Sequence, residues 1–370
     1  MDGALTKVSR SSGLRDFLRL LPQGGPGFVQ IALTNACNAR CQFCGFSRLQ
    51  ADSWVMADTH RLCQGLPRLV KAGVRYLTIT GGEPLLHPDC LEILQAARDH
   101  GLATFVCSNG RLLTREVVRA LGRAGVSHLI ISIDAATATV HEAHRGFPGL
   151  CRTLQTLLPE MAAQGIGAVA SVTISRLWRD VAALGEFLAS LGFRAVTFSY
   201  PTLAGHLAAG DAAAAASVLF TAEEFLAILQ GLQAWRRQAP LSVLNPSLGI
   251  QELQRQLQGL PVRFPCLAGS RYFYIDWHLQ VHRCHILRQP LGSLEQFDAL
   301  PPIRDDCHAC LTDCYRDASV QQYPAVVVAD VWQAIHRGRW RQALRQLLEK
   351  KTFLALAAAW QGRRWFAHGS

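Results

Sequence analysis

The sequence predicts an α/β protein, because short β-rich segments alternate with helical segments between residues 28 and 198. The predicted strands are 28–33, 76–80, 103–107, 128–133, 168–174 and 195–198. The predicted helices between them are 59–72, 89–100, 114–123, 148–164 and 177–191. Such alternation indicates parallel βαβ units with right-handed crossovers, which either close into a barrel or form an open sheet.

The composition is that of a folded chain with excess positive charge. Apolar residues make up 49% of the 370 residues and charged residues 17%, which excludes global disorder. The formal charge of +10 favours an anionic partner or surface. Residues 1–27 read as a polar leader without a signal-peptide pattern, and no apolar segment is long enough to span a membrane. We therefore expect a cytoplasmic protein, in which the 12 cysteines serve metal ligation more than disulfides.

Three cysteines follow the first predicted strand at close spacing. Cys37, Cys41 and Cys44, here called the first cysteine loop, form a Cys-x3-Cys-x2-Cys pattern. Three thiolates at this spacing can ligate one iron–sulfur cluster. A cube of four irons needs four ligands, so one iron would stay open for a small molecule. The spacing alone also permits a partial zinc site or unligated thiols.

The loop and its place after the first strand resemble the radical S-adenosylmethionine (SAM) superfamily. This resemblance implies a partial (β/α)6 TIM-like barrel and a [4Fe–4S] cluster whose open iron chelates SAM. It further implies that one electron cleaves SAM to a 5′-deoxyadenosyl radical, and that Phe43 lies beside the adenine. Ligands in such a fold bind at the carboxyl ends of the strands.

Short polar motifs end the second, third and fourth predicted strands. Gly-Gly-Glu-Pro follows the second strand, where two glycines allow close backbone approach and a carboxylate can hold an ammonium group. The resemblance assigns the SAM amino group to this motif, the ribose to Ser132 and the SAM carboxylate to the guanidinium of Arg145. Each motif alone would read as an ordinary strand end. The SAM-binding residues implied in this way are Phe43, Gly81, Gly82, Glu83, Pro84, Ser108, Asn109, Ser132, Asp134 and Arg145.

A second group of cysteines lies beyond the alternating region. The second cysteine cluster consists of Cys266, Cys284, Cys307, Cys310 and Cys314, with a predicted β-hairpin at 272–283 that turns near 276–279. It resembles the twitch domain, a shortened SPASM domain, which implies one auxiliary [4Fe–4S] cluster. The first four of these cysteines match the twitch pattern, and Cys314 is the expected spare, although it could instead displace one of the pair and serve as a ligand. A structural zinc ribbon is the alternative.

Two further predictions concern this second region. His285, next to Cys284, is a candidate proton acceptor, because its imidazole titrates near neutrality, and a structural role is the alternative. The other cysteines (Cys63, Cys90, Cys107 and Cys151) read as small buried apolar residues.

The sequence divides into five predicted regions. These are the leader 1–27, the barrel 28–239, a connection 240–264, the auxiliary-cluster domain 265–318 and a helical tail 319–370. Residues 203–219 read as a low-complexity connection, and Thr221 with Glu224 predicts a capping box that opens a helix. Residues 240–262 read as irregular.

The tail is basic and amphipathic. Val331, Ile335, Leu344, Leu347 and Leu348 recur at helical spacing, among six Arg and Lys residues and two Trp. Such helices suit an anionic membrane surface, which would place the protein at the inner face of the membrane. The alternative is that the apolar stripe packs on the barrel. No motif supports nucleic-acid binding.

We therefore predict a radical SAM enzyme that removes a hydrogen atom from a substrate held between the barrel and the auxiliary domain. The expected substrate is a natural-product, sugar or lipid intermediate, and a reductant such as flavodoxin or ferredoxin is the expected partner. A peptide-modifying maturase is the alternative within this class. A non-catalytic iron–sulfur or zinc protein that binds nucleic acid or membrane is the alternative outside it. Oxidation and carbon-skeleton chemistry both stay open.

Overall fold

The fold is organised around one sheet of ten strands. The computed structural model describes residues 27–201, 216–287 and 289–362, so the leader and most of the 203–219 connection lie outside it. The strands are β1 Phe28–Ala32, β2 Tyr76–Thr80, β3 Ala103–Ser108, β4 Val126–Ser132, β5 Gly167–Thr173, β6 Ala195–Ser199, β7 Ser242–Val243, β8 Tyr272–Ile275, β9 Gln280–His282 and β10 Pro290–Ser293. Their order is β10-β9-β8-β1-β2-β3-β4-β5-β6-β7.

Helices follow most of the parallel strands. They are α1 Thr59–Ala72, α2 Cys90–Asp99, α3 Arg115–Arg123, α4 Ala138–Arg145, α5 Leu150–Ala163, α6 Val181–Leu191, α7 Ala222–Trp235, α8 Ser247–Leu257, α9 Asp313–His336, α10 Trp340–Leu348 and α11 Lys350–Gly362. Their starts follow the local sequence: Asp58 accepts the backbone N–H of Arg61 at 2.9 Å, and Asp180 caps α6 in the same way. The predicted capping box of Thr221 and Glu224 is confirmed at α7.

The predicted partial (β/α)6 barrel is confirmed. Strands β1 to β6 are parallel neighbours in chain order. In the described sheet β7 and β10 stand at opposite ends, so the sheet does not close on itself. The six predicted strands agree with the observed ones to within two residues. Helix α6 begins four residues later than predicted, because Asp180 rather than Leu177 provides its N-terminal cap.

The segment 240–262, predicted to be irregular, is not. Strand β7 pairs in parallel with β6, and α8 follows directly and buries Leu248, Ile250 and Leu253. A two-residue strand has too few positions to show a periodicity, which explains why sequence patterns missed it. This segment therefore extends the barrel sheet by one strand.

The predicted hairpin is confirmed and belongs to the same sheet. Strands β8 and β9 are antiparallel, and β8 also pairs in parallel with β1, with Phe28 opposite Tyr272 and Ile31 opposite Ile275. The strand that leads into the first cysteine loop is thus hydrogen-bonded to a strand that lies between Cys266 and Cys284 of the second cluster. The division into separate domains at residue 265 stays a prediction.

The tail is helical, as predicted. Helix α9 crosses the predicted boundary at 318 and begins beside Cys314. Ile335, Leu344, Leu347 and Leu348 are exposed, so the alternative that the stripe packs on the barrel is wrong for these side chains. Val331 is half-buried and packs against the core cluster that contains Leu248 and Phe264. Within the described ranges, no helix has both the length and the apolar content needed to cross a bilayer.

Candidate active site

The first cysteine loop is anchored on both sides. Before it, Thr34 Oγ1 donates to the carbonyl of Val55 at 2.7 Å, and Asn35 Oδ1 accepts the N–H of Val55 at 2.7 Å. Within it, the N–H of Arg40 donates to the carbonyl of Arg145 at 3.0 Å. The loop therefore has a fixed backbone between β1 and the end of α4.

Cys41 is buried and Cys37 and Cys44 are half-buried, and the three thiols are near enough to raise one another's pKa. Burial first, with smaller contributions from neighbouring thiols, raises the pKa of Cys37 and of Cys41 to about 11, and that of Cys44 also rises. As free groups these thiols would keep their protons at neutral pH, whereas iron binding displaces such protons. Three soft donors on one rigid loop fit three corners of a [4Fe–4S] cluster.

The two glycines after β2 pack directly against this loop. The N–H of Gly82 donates to the carbonyl of Thr34 at 2.8 Å, and the N–H of Glu83 donates to the carbonyl of Ala36 at 2.7 Å. A Cβ atom at Gly82 would overlap the carbonyl of Ala36, and Gly81 has a φ of +137°. Close packing on the cysteine loop is therefore a sufficient reason for both glycines. Their predicted contact with SAM stays a prediction.

The carboxylate of Glu83 joins the ends of β2 and β3. It is buried and accepts Ser108 Oγ at 2.9 Å, the N–H of Asn109 at 2.7 Å and the N–H of Leu85 at 3.2 Å. Burial raises the pKa of Glu83 to about 7 despite these hydrogen bonds. Pro84, also buried, begins the short 3-10 turn that follows. The predicted binding of an ammonium group by Glu83 stays a prediction.

Asn109 connects this carboxylate with the cysteine loop. Its Nδ2 donates to Asn38 Oδ1 at 2.8 Å and lies 3.9 Å from the Sγ of Cys37. This is the position of a hydrogen-bond donor to a cluster ligand. Ser132 ends β4 and is half-buried, and its predicted contact with the ribose stays a prediction.

At the end of β4, Asp134 and Arg145 form a buried ion pair with an Nε–Oδ2 distance of 2.6 Å. Burial alone would raise the pKa of Asp134, but the charge of Arg145 outweighs it and holds this pKa below its usual value. His144 lies 3.8 Å from the same oxygen, and its ring packs on Phe43 at 4.8 Å. Three of the residues predicted to contact SAM, Phe43, Asp134 and Arg145, thus lie together beside Cys41.

Several buried polar atoms at this site have no partner in the described part of the chain. They are Asp134 Oδ1, His141 Nε2 and both ring nitrogens of His144. Buried polar groups normally have partners, so these atoms fit a polar ligand such as SAM. The ligand atoms of Cys41, Asp134 and His144 lie within 4.8 Å of one another. Because Asp134 already pairs with Arg145, we assign them no separate metal ion.

The second cysteine cluster comes together as predicted. Electrostatic interactions link Cys310 with Cys266 and Cys284, and Cys266 with Cys307, whose carbonyl accepts the N–H of Cys266. Cys314 interacts with Cys310 but also with Cys107 of the barrel. All five thiols are therefore connected, and Cys314 is the one that also lies near the barrel.

Cys107, at the end of β3, lies between the two cysteine sites. Burial, the negative charge of Glu83 and then that of Asp313 raise its pKa to about 12. Glu83 belongs to the first site, whereas Asp313 and Cys314 begin α9 at the second. The N–H of Tyr200, which follows β6, donates to Asp313 at 3.2 Å, so the start of α9 lies at the same carboxyl ends of the strands as the first cysteine loop. The sequence alone predicts Cys107 only as a small buried residue.

Sequence reasoning also missed a network of buried hydrogen bonds around two carboxyl groups of α9. Asp317 Oδ2 accepts Asn245 Nδ2 at 2.8 Å and the hydroxyl of Tyr200 at 3.3 Å, and Asp313 accepts the N–H of Tyr200 at 3.2 Å. The i, i+4 spacing of Asp313 and Asp317 on a helix was the available signal, since it places both carboxyls on one face.

His285 is held by Tyr315. The hydroxyl of Tyr315 lies 2.9 Å from His285 Nδ1 and accepts the N–H of His285 at 2.9 Å. These contacts fit a structural role beside Cys284. A role as proton acceptor stays a prediction.

Comparison with known proteins agrees with this geometry. Residues 31–158 match the radical SAM superfamily. The chain is 24% identical over 303 residues to an AdoMet-dependent heme synthase of Oleidesulfovibrio alaskensis. This alignment covers 76% of this chain and 76% of the heme synthase. It is 35% identical over 156 residues to the mycofactocin maturase MftC of Mycobacterium tuberculosis, covering 42% of this chain and 39% of MftC.

Among solved structures, the fold resembles that of Streptococcus suis SuiB bound to precursor peptide SuiA. The TM-score is 0.58 at 11% identity, covering 80% of this chain and 70% of SuiB. Several curated relatives are matched over little more than a third of their length.

Residues 31–158 therefore form a radical SAM domain, and enzymes with this domain use a [4Fe–4S] cluster and SAM. The likeness of the chain to SuiB reaches well beyond the radical SAM domain, and the predicted resemblance to enzymes with a twitch or SPASM continuation is confirmed.

Proposed function

We propose that this enzyme modifies a peptide held at the barrel mouth, between the first cysteine loop and the second cysteine cluster. The observation that carries the proposal is that both sites lie at the carboxyl ends of the barrel strands. Asp313 of α9 accepts the N–H of Tyr200 after β6 at 3.2 Å, and Glu83 after β2 accepts the N–H of Asn109 after β3 at 2.7 Å. A substrate at this mouth would lie within reach of both sites.

The chain's own residues bind and orient the reactants in this proposal. When bound, the cluster and SAM supply a carbon-centred radical that takes a hydrogen atom from the substrate. Arg145 offers a guanidinium for the SAM carboxylate, and Phe43 and Ser132 would face the adenosine. Glu83 fixes the ends of β2 and β3 so that the cysteine loop and the SAM site keep one geometry.

The second cysteine cluster would hold an auxiliary [4Fe–4S] cluster through Cys266, Cys284, Cys307 and Cys310. Its position at the same mouth supports a role in accepting an electron from the substrate after hydrogen abstraction, which makes an oxidative outcome the preferred one. A flavodoxin or ferredoxin would supply the electron at the first site. A cytoplasmic location would keep these thiols reduced.

A peptide is preferred to the sugar or lipid expected from the sequence. MftC is named a maturase, another relative of this chain is named PqqA peptide cyclase, and the SuiB structure contains a precursor peptide. A second candidate is an iron tetrapyrrole, because the heme synthase relative aligns over 76% of both chains.

The first experiment measures iron, sulfide and Mössbauer spectra after anaerobic reconstitution. We expect about eight irons in the wild type and about four in the Cys37→Ala/Cys41→Ala/Cys44→Ala variant, which should no longer cleave SAM with dithionite. Four irons together with zinc in the wild type would contradict the auxiliary cluster and favour redox-neutral chemistry.

The substrate is tested by its effect on SAM cleavage. Release of 5′-deoxyadenosine is measured with a pool of unstructured peptides and, separately, with an iron tetrapyrrole, and products are identified by mass spectrometry. A peptide product about two mass units lighter, formed only in the presence of SAM, is the expected result for an oxidation. Turnover of the tetrapyrrole alone would contradict the peptide assignment.

A further inference from the structure

The three C-terminal helices each expose a stripe of large apolar side chains. On each helix the exposed positions recur at a spacing of three or four residues, so they share one face. These side chains are between 36% and 65% exposed. They are Val328, Trp332 and Ile335 on α9, Trp340, Leu344, Leu347 and Leu348 on α10, and Phe353, Leu356 and Trp360 on α11.

The small apolar residues of these helices are buried instead. Ala343 of α10 and Ala355 and Ala358 of α11 are at most 4% exposed. The two alanines of α11 pack with Val320, Tyr323 and Val327 of α9 in a separate core cluster. A helix of a soluble protein normally buries its large apolar residues and exposes small or polar ones. Helices α10 and α11 have the opposite arrangement, which is expected when the outer face meets another apolar phase.

Basic side chains accompany these apolar stripes. Between residues 328 and 362 there are six basic residues and two acidic ones, so the net charge of this segment is +4. Four of the six (Arg337, Arg339, Arg341 and Arg345) lie on α10 or in the turn before it, and all four are exposed. The guanidinium of Arg341 lies 5.2 Å from the ring centre of Trp340. Such a surface complements a negative one.

We propose that α9, α10 and α11 bind the surface of an anionic lipid bilayer through these stripes. Trp and long basic side chains suit the headgroup region, where their apolar parts are buried while their polar ends stay hydrated. A second copy of the chain is a weaker occupant, because two such faces would bring their positive charges together.

The bilayer contact is separate from the barrel mouth. Helix α9 begins with Asp313 and Cys314 at the mouth, whereas its exposed stripe begins at Val328, about four turns further along the helix. The proposal therefore does not depend on the substrate assigned above.

The test is co-sedimentation of the reconstituted enzyme with two kinds of vesicle. One contains phosphatidylcholine and phosphatidylglycerol, and the other phosphatidylcholine alone. We expect binding to the anionic vesicles at low salt and at least about tenfold weaker binding to the neutral ones. Trp340→Ser/Leu344→Ser and Arg341→Glu/Arg345→Glu should each weaken binding about tenfold or more.

Matched controls change equally exposed residues elsewhere. Val140→Ser/Leu260→Ser removes two apolar side chains that are 42% and 44% exposed, and Arg115→Glu/Arg123→Glu reverses two exposed charges on α3. Both controls should bind anionic vesicles as the wild type does. Circular dichroism melting curves confirm that every variant is folded.

Three outcomes would overturn the proposal. The first is equal binding of the control and tail variants. The second is a lack of binding to both vesicles. The third is a concentration-dependent dimer in analytical ultracentrifugation, lost in Trp340→Ser/Leu344→Ser, without vesicle binding, which would assign the face to a second copy.

Discussion

Arg145 donates to Asp134 across 2.6 Å in a site that excludes solvent from both side chains. Removing one partner of a buried pair leaves the other charge unpaired, which typically costs about 3–5 kcal/mol. We expect Arg145→Met to lower the free energy of unfolding in urea by this amount. Asp134→Asn/Arg145→Met should recover part of the loss, because neither charge is then left alone.

The exposed pair Arg119–Glu160 is the control for this prediction. Its Nε–Oε1 distance is 2.8 Å, but the Arg119 side chain is 50% exposed. Arg119→Met should therefore change the free energy of unfolding by less than about 1 kcal/mol. Similar losses for the two arginine variants would contradict the importance of burial.

The contact between Gly82 and the carbonyl of Ala36 predicts that Gly82→Ala disrupts the first cysteine loop. The added methyl group has no room beside this backbone carbonyl, so the loop must move. We expect about half of the reconstituted iron to be lost and SAM cleavage to fall at least about a hundredfold. Gly231→Ala on α7 is the control, because its added Cβ would meet no atom within 4 Å. It should stabilise the protein by up to about 1 kcal/mol and keep its iron.

The amide of Asn109 beside Cys37 predicts an effect on the first cluster's reduction potential. A donor to a ligand sulfur stabilises the more negative, reduced cluster. Asn109→Ala should therefore lower the potential by on the order of tens of millivolts in an EPR-monitored titration. Asn38→Ala removes the oxygen that accepts from Asn109 Nδ2 at 2.8 Å but keeps this donor. The reduction potential of the first cluster should therefore be unchanged or higher in this variant. A decrease of equal size in both variants would argue against the hydrogen bond.

The twitch pattern predicts different results for two neighbouring cysteines of the second cysteine cluster. Cys310→Ala should lose about four irons, whereas Cys314→Ala should retain about eight, because the pattern leaves Cys314 as the spare and Cys314 also lies near Cys107 of the barrel. Iron analysis and Mössbauer spectra measure both. If the two variants lose iron equally, Cys314 is a ligand and one of the other four is the spare.

The buried carboxyl of Asp317 predicts a pH dependence of stability. Burial and then the charge of Asp313 raise its pKa from 3.8 to about 8. The folded chain holds this proton more tightly than the unfolded chain does. This tighter proton binding by Asp317 stabilises the folded state fully below about pH 4, and the stabilisation is lost as the pH rises to about 8.

Asp317→Asn should flatten this dependence. The variant keeps an oxygen for Asn245 and Tyr200 and does not ionise, so its melting temperature relative to wild type should rise between about pH 5 and pH 8. Thermal melts in matched buffers measure this difference. An unchanged difference across that range would show that Asp317 is already ionised at low pH.

The six barrel strands and both groups of cysteines were predictable, because each depends on local spacing. Tyr76–Thr80 matched its prediction residue for residue, and the capping box at Thr221 was visible in four residues. Gly81 and Gly82 were also found, although the packing against Ala36 that requires the second glycine is a contact between distant segments.

The remaining features depend on contacts that local patterns do not encode. Asp317 and Asn245 are 72 residues apart, and their pairing arises only when α9 packs over β6 and β7. The stripe on α10 had the right period for a helix, but the sequence could not tell an outward face from an inward one. Its exposure follows from Ala343, which occupies the buried position of this helix.

The pairing of β1 with β8 has a consequence for synthesis of the chain on the ribosome. Strand β1 ends at Ala32, yet β8, its partner on one side, ends only at Ile275. Until that residue has emerged, the strand that leads into the first cysteine loop has one unpaired edge, which is open to wrong pairing with other chains. Insertion of iron into the first loop before β8 is made would thus occur on an incomplete sheet. Slow translation before residue 275 would lengthen the period in which this edge needs protection by a chaperone.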